Sequence, residues 1–185
     1  MTWIPWAIAG AVVLILIFWF VGAYNKLVSF SVRVDNGWAQ VDVQLKKRFD
    51  LIPNLVETVK GYASHEKTTL SEVTKWRGAA MSSKTPEEAM ENNAKLSRAI
   101  VNLFATAEQY PDLKANQNFL DLQGQLQELE GKIAVSRQFY NDTAMKYNEY
   151  VRHFPSNLVA SLFHFELRKY FEASESDKAV PQVKF

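Results

Sequence analysis

Three histidines and a few carboxylates are the first places to look for chemistry. His65, His153 and His164 are the chain's only imidazoles, and it has no cysteine. A di-iron carboxylate bundle needs two Glu-x-x-His motifs, so that both ligands of each pair share a helix face. The residues three before these histidines are Tyr62, Tyr150 and Ser161, so the motif is missing. His65-Glu66 starts like a zinc-protease helix, but Lys67, Thr68 and Thr69 follow where a second histidine is required. A hydrolase here would have to lose its activity on changing His65 or Glu66. None of the glycines opens a phosphate-binding loop, and no nucleophile elbow, kinase motif or dinucleotide fingerprint occurs. These residues predict no catalytic group, no metal site and no cofactor: a protein that is not an enzyme.

Other polar groups suggest contacts rather than reactions. Lys46-Lys47-Arg48 is a compact basic cluster just before Asp50. It reads first as the solvated last turn of a helix, where cations suit the dipole, and second as a patch for a phosphate or a partner. Asp50, Asn54, Tyr62 and Asn148 would form a polar pocket if the fold brought them together. Trp38 and Trp76, at apolar repeat positions, read as core anchors.

The elements that must position these residues begin with an anchor. Every charged side chain lies at or beyond Lys26, and Ile4 to Ala23 is almost entirely apolar. That run makes about 30 Å of helix, the thickness of a bilayer core. Trp3 and Trp6 at one rim, with Trp19 and Tyr24 toward the other, are placed as membrane-interface anchors. No basic residue precedes the run and bulky residues end it, so it reads as an uncleaved anchor over 4–24 rather than a signal peptide. Lys26 and Arg33, then Lys46 to Arg48, follow the span, so the positive-inside rule puts the N-terminus outside and the rest in the cytoplasm.

Beyond the anchor, Lys+Arg 21 against Asp+Glu 20 excludes the basic surplus of a nucleic-acid binder. Phe119, Leu122, Leu126, Leu129, Ile133, Ser136, Tyr140, Thr143, Tyr147 and Tyr150 recur at steps of three and four, a heptad seam within 112–152 that Asp112 would cap. Leu55, Val59, Tyr62, Glu66, Leu70, Val73, Trp76 and Ala80 repeat likewise over 54–81. Leu96, Ile100, Leu103 and Ala107 line 86–109 behind a Thr85-Pro86-Glu87-Glu88 start. Residues 28–34 alternate like a strand, but Val34, Trp38, Val41 and Leu45 step as a helix and no second strand exists to pair with.

With Pro53, Pro86 and Pro111 as punctuation, the prediction is all-α: a transmembrane helix followed by an antiparallel four-helix bundle with coiled-coil-like packing over 25–172. Residues 1–3 form a short flank, and 173–185, without periodicity, a disordered tail. Val183-Lys184-Phe185 at its end is a candidate C-terminal peptide ligand. Phe154 to Phe165 would either close the base of the bundle or lie in the lipid interface. Gly124 and Gly131, off the seam and seven apart, are either tolerated surface glycines or a face where another backbone packs closely.

Particular words of the sequence add a resemblance. Tyr24-Asn25-Lys26-Leu27-Val28, Trp38, Asp42-Val43-Gln44-Leu45-Lys46-Lys47-Arg48-Phe49-Asp50-Leu51-Ile52-Pro53-Asn54-Leu55, Val59-Lys60-Gly61-Tyr62 and His65-Glu66 are followed by Ile133-Ala134-Val135-Ser136-Arg137, Tyr140-Asn141, Tyr147-Asn148 and Phe154-Pro155-Ser156-Asn157. In that order they resemble the LemA family from residue 24 to about 172. The resemblance implies a bacterial inner-membrane protein with one N-terminal span and a four-helix soluble domain, without an established activity or cofactor. It also implies a membrane-proteostasis or envelope setting, with partners such as a membrane protease. Where family members commonly carry Thr-Glu-Asn-Arg, this chain has Leu129-Glu130-Gly131-Lys132, so the polar contact of that Thr and Asn is not carried over. The expected function is a scaffold or adaptor that self-assembles or docks on membrane proteins; a ligand- or signal-sensing domain is the alternative.

Overall fold

A computed structural model describes residues 3–172. The tail 173–185, its last three residues included, and Met1 and Thr2 of the flank lie outside the described residues. Six helices make up the rest: α1 Ile4–Tyr62, α2 Lys67–Met81, α3 Pro86–Ala107, α4 Pro111–Lys114, α5 Gln117–Arg152 and α6 Ser156–Leu162. No strand occurs among the described residues, and the alternating stretch 28–34 lies within α1.

The element boundaries differ from those that proline punctuation predicts. Pro53 does not end a helix: α1 continues from the apolar run through to Tyr62. A proline inside a helix removes one N–H and leaves the carbonyl four residues earlier without a partner. Here that carbonyl belongs to Phe49, and Arg77 Nε donates to it at 2.7 Å from α2. The break falls instead at 63–66, dividing the expected 54–81 segment. Asp112 is not the cap of the long C-terminal helix. It sits in the first turn of the short α4, and Asn116 Oδ1 caps α5 by accepting from the Phe119 N–H at 3.1 Å. Thr85 caps α3 as expected, its side chain accepting from Glu88 N at 3.2 Å, with Pro86 at the first helical position.

The chain divides into two units. Among the described residues, the first comprises 3–37 together with 139–170, and the second 38–138 with Phe171 and Glu172. In the second, Val41, Leu45, Ile52, Leu55 and Val59 of α1 are buried, as are Leu70 and Val73 of α2, Leu96, Ile100 and Leu103 of α3, and Phe119, Leu126, Leu129 and Ile133 of α5. Each such side chain contributes about 1.5–3 kcal/mol on leaving water. Trp38 and Trp76, expected as core anchors, are only half-buried. Trp38 stacks on Phe171 with centroids 5.8 Å apart, and Trp76 lies under Lys75 and Lys95.

In the first unit, Ala23 and Leu27 of α1 bury against Val159 and Ala160 of α6, with Phe20, Tyr24, Tyr150 and Phe165 packed around them. Farther along α1, Gly37 meets α5. A Cβ there would come within 3.1 Å of Thr143 Oγ1 and 3.3 Å of the Tyr140 Cα. A hydrogen at that position lets the two helices approach.

Candidate functional site

The most organised polar assembly is inside the second unit. Arg48 sits on the buried stripe of α1, three residues after Leu45 and four before Ile52, and is wholly buried. Its Nη1 donates to Glu130 Oε1 at 2.7 Å and to Ser97 Oγ at 2.9 Å. Its Nη2 donates to Asn93 Oδ1 at 2.6 Å. Asn93, also wholly buried, occupies the α3 stripe between Ala89 and Leu96 and donates from Nδ2 to the Ala89 carbonyl at 2.8 Å. One guanidinium therefore ties α1 to α3 and α5. Such charge-assisted bonds are stronger than neutral ones, and they are what makes burial of a cation tolerable.

A second guanidinium adjoins the first. Arg137 of α5 is largely buried and lies over the Phe171 ring, 5.1 Å from its centroid. Burial, then the Arg48 cation, press its pKa below the usual arginine range, while Glu130 opposes them. Arginine stays charged through such a shift, so Glu130 serves as counter-charge to two cations. The Nε atoms of Arg48 and Arg137 are both buried and have no hydrogen-bond partner among the described residues.

Next to this assembly, Asn93 also lines a cleft of about 410 Å³. Trp38, Asp42 and Lys46 of α1 face Lys84 and Thr85 of the α2–α3 turn across it. Chemically the region offers charge, hydrogen bonds and an aromatic wall. Ser97 Oγ meets a guanidinium, which only donates, and not a base that would activate it as a nucleophile.

The first unit has its own polar device. Tyr140 and Tyr147 of α5 donate their hydroxyls to the carbonyls of Lys169 and Glu166, at 3.0 and 2.9 Å. Asn148 holds residue 168 by both backbone groups: its Nδ2 donates to the Arg168 carbonyl and its Oδ1 accepts from the Arg168 N–H, each at 2.8 Å. The Arg168 guanidinium reaches Asp35 on α1 at 3.1 Å. Burial raises the Tyr147 pKa; Arg168 opposes this, and Asp35 and Glu166 reinforce it. The irregular segment after α6 is thereby clamped along α5.

Lys46 and Lys47 are exposed but Arg48 is not, and the cluster lies inside α1, so the solvated helix end is corrected. Asp50 and Asn54 are exposed on α1, Tyr62 accepts from Asn116 Nδ2 at 2.9 Å, and Asn148 is committed to residue 168. His65 is exposed between α1 and α2. Glu66 accepts from the Tyr110 hydroxyl at 3.0 Å, a bond that raises the Tyr110 pKa ahead of burial and the Glu66 charge. A Cβ on Gly124 or Gly131 would meet nothing within 4 Å. Trp3, Trp6 and Trp19 are exposed, whereas Tyr24 packs against Phe163 and Phe165 with centroids 4.6 and 5.9 Å away. No group of three or more metal-ligating residues occurs among the described residues.

Sequence reasoning missed Asn93, Glu130, Arg137, Arg77 and Gly37. Asn93 had a readable signal: it takes the stripe position between Ala89 and Leu96, where a side chain must be buried.

The model of the LemA family matches residues 37–185. The chain is 26% identical over 167 residues to "Protein LemA" of Metamycoplasma hominis, covering 89% of this chain and 75% of that protein. It is 23% identical over 189 residues to "Magnetosome protein MamQ 1" and to "Magnetosome protein MamQ 2" of Paramagnetospirillum magneticum, covering 86% of this chain and 70% of each.

Proposed function

We propose that this chain, which belongs to the LemA family, is a non-catalytic, membrane-anchored helical scaffold that assembles with itself or docks on other membrane proteins. The observation that carries this reading is α1 itself. One unbroken helix bears an exposed apolar run at its start and the buried stripe Val41, Leu45, Arg48, Ile52 farther on. The run is long and apolar enough to cross a membrane, and only 6% of its most apolar window is buried. Contacts from Arg48 to α3 and α5, and from Arg77 back to α1, support an antiparallel four-helix bundle of α1, α2, α3 and α5. Neither kind of relative bears the name of an enzyme, which favours the non-catalytic reading.

We read the anchor as crossing a bacterial inner membrane, N-terminus outside and the helical domain in the cytoplasm; Lys26 and Arg33 after the span support that orientation. A reporter fused after Phe185 tests this, and an extracytoplasmic signal would reverse it. Gly124 and Gly131, open in the single chain, suit a close approach by a second copy or a membrane protein such as a protease. Crosslinking with mass spectrometry in native membranes, together with light scattering of the detergent-solubilised chain, tests assembly. A strictly monomeric species with no crosslinked partner would sink the scaffold reading. The cleft beside Trp38 and Asn93 favours a second reading, a ligand-sensing domain; a flat thermal-shift screen across small molecules and ions would count against it.

A further inference from the structure

We infer that α6 is a second membrane contact, lying in the bilayer's interfacial layer beside the end of the α1 span; this rests on the reading of α1 as an anchor. Among the described residues, only one side of α6 has a protein partner. Ser156, Val159 and Ala160 are buried, the last two against Ala23 and Leu27. The other side is apolar and open: Leu158 and Leu162, one turn apart, are 59% and 62% exposed, with Phe154 at 80% before the helix and Phe163 at 46% after it.

The height of α6 along α1 identifies what covers that face. Its C-terminal end is level with the last turns of the apolar run, where the Phe163 ring lies 6.0 Å from that of Phe20 and 4.6 Å from that of Tyr24. Its buried face reaches Leu27, just past the first charged residue, Lys26. From Phe20 to Leu27 is about 10 Å of helix, the depth an interfacial helix occupies at the boundary of headgroups and acyl chains. The exposed apolar face of α6 is continuous through Phe163 and Phe20 with the surface that the span itself presents to lipid. Cations lie on the water side. Lys26 stands over the Tyr150 ring, 4.8 Å from its centroid, and Arg152 is exposed before the Phe154 turn. That pattern fits an anionic lipid surface, attracted by the cations and penetrated by Leu158 and Leu162.

Because the chain has no cysteine, single spin labels can be placed without background. Full-length Leu158→Cys, Leu162→Cys, Leu14→Cys and Lys146→Cys variants, labelled and reconstituted in phosphatidylcholine–phosphatidylglycerol vesicles, would be compared by power saturation with oxygen and a water-soluble nickel chelate. The expected result is an oxygen-to-nickel accessibility ratio at 158 and 162 several-fold above that at the exposed Lys146 site and below that at Leu14. Nickel accessibility at 158 and 162 equal to that at Lys146, with Leu14 still in lipid, overturns this inference alone. Shielding of 158 and 162 from both reagents means protein covers the face, and overturns it too. Leu14 in water would overturn the anchor reading and this inference together.

Discussion

Arg48 and Glu130, 82 positions apart in the chain, meet at 2.7 Å, one wholly buried and the other with 42% of its side chain open to water. The asymmetry decides which partner matters more. A buried guanidinium without its carboxylate is an uncompensated charge, whereas a half-open carboxylate can turn to solvent. Glu130→Ala should therefore cost about 1–3 kcal/mol, less than breaking a fully buried pair, because water can reach the vacated side. In an Arg48→Met background, which itself leaves the buried Asn93 Oδ1 without its donor, the same Glu130 change should cost clearly less. Urea unfolding of the detergent-solubilised chain, followed by far-UV circular dichroism, measures this. Strictly additive losses would show that the two groups are not coupled.

Arg77 predicts a different kind of loss. Its Nε satisfies the Phe49 carbonyl that Pro53 leaves open, so Arg77→Met orphans a helix carbonyl while keeping most of the aliphatic packing. The expected cost is about 1–2 kcal/mol. In a Pro53→Ala background the carbonyl regains its helical N–H, and the same Arg77 change should cost clearly less. Equal costs in both backgrounds would remove the proposed link.

Much of this architecture was legible from residue spacing. The positions of the α5 seam, from Phe119 to Tyr150, are all buried or half-buried, and Leu96, Ile100, Leu103 and Ala107 form the stripe of α3 as read. The errors arose where a tertiary contact overrides a local rule. Pro53 reads as a stop until Arg77 arrives from another helix, and Arg48 reads as a surface cation until its stripe position is weighed above its charge. Two steps apply to Arg48: it continues the three-and-four spacing from Leu45 to Ile52, and Asn93 does the same on α3. Within Leu129-Glu130-Gly131-Lys132 it is Glu130 that makes the polar contact to Arg48. Gly37 gave no sign because close approach depends on which helix lies opposite.

That approach makes Gly37→Ala informative. On an isolated helix the change would stabilise by roughly 1 kcal/mol through propensity. Here the new methyl would press on Thr143 Oγ1 at 3.1 Å and on the Tyr140 Cα at 3.3 Å, and the latter is backbone that cannot swing away. A net loss of about 1–2 kcal/mol is expected from overpacking, against no loss for Gly124→Ala, whose surroundings are open. Thermal unfolding of both variants decides it, and a Gly37→Ala protein more stable than its parent would show that the helices can part at no cost.

The alkaline limb of stability should report on Tyr147. Its pKa is raised by burial foremost, so the native protein keeps the phenol proton at a pH where the unfolded chain has lost it. Its contribution is complete below the ordinary tyrosine value of about 10 and falls away as pH rises through the higher folded value. Tyr147→Phe should cost about 0.5–1.5 kcal/mol at neutral pH, because the Glu166 carbonyl loses its donor. The same variant should decline less steeply than the parent above the ordinary tyrosine pKa. Some decline persists, since Tyr110, its proton held by Glu66, titrates with the same sign; Tyr110→Phe serves as the companion. Urea midpoints measured across the alkaline range separate the two tyrosines. An unchanged alkaline slope in Tyr147→Phe would mean that the hydroxyl is reached by water and that the clamp on Glu166 is open in solution.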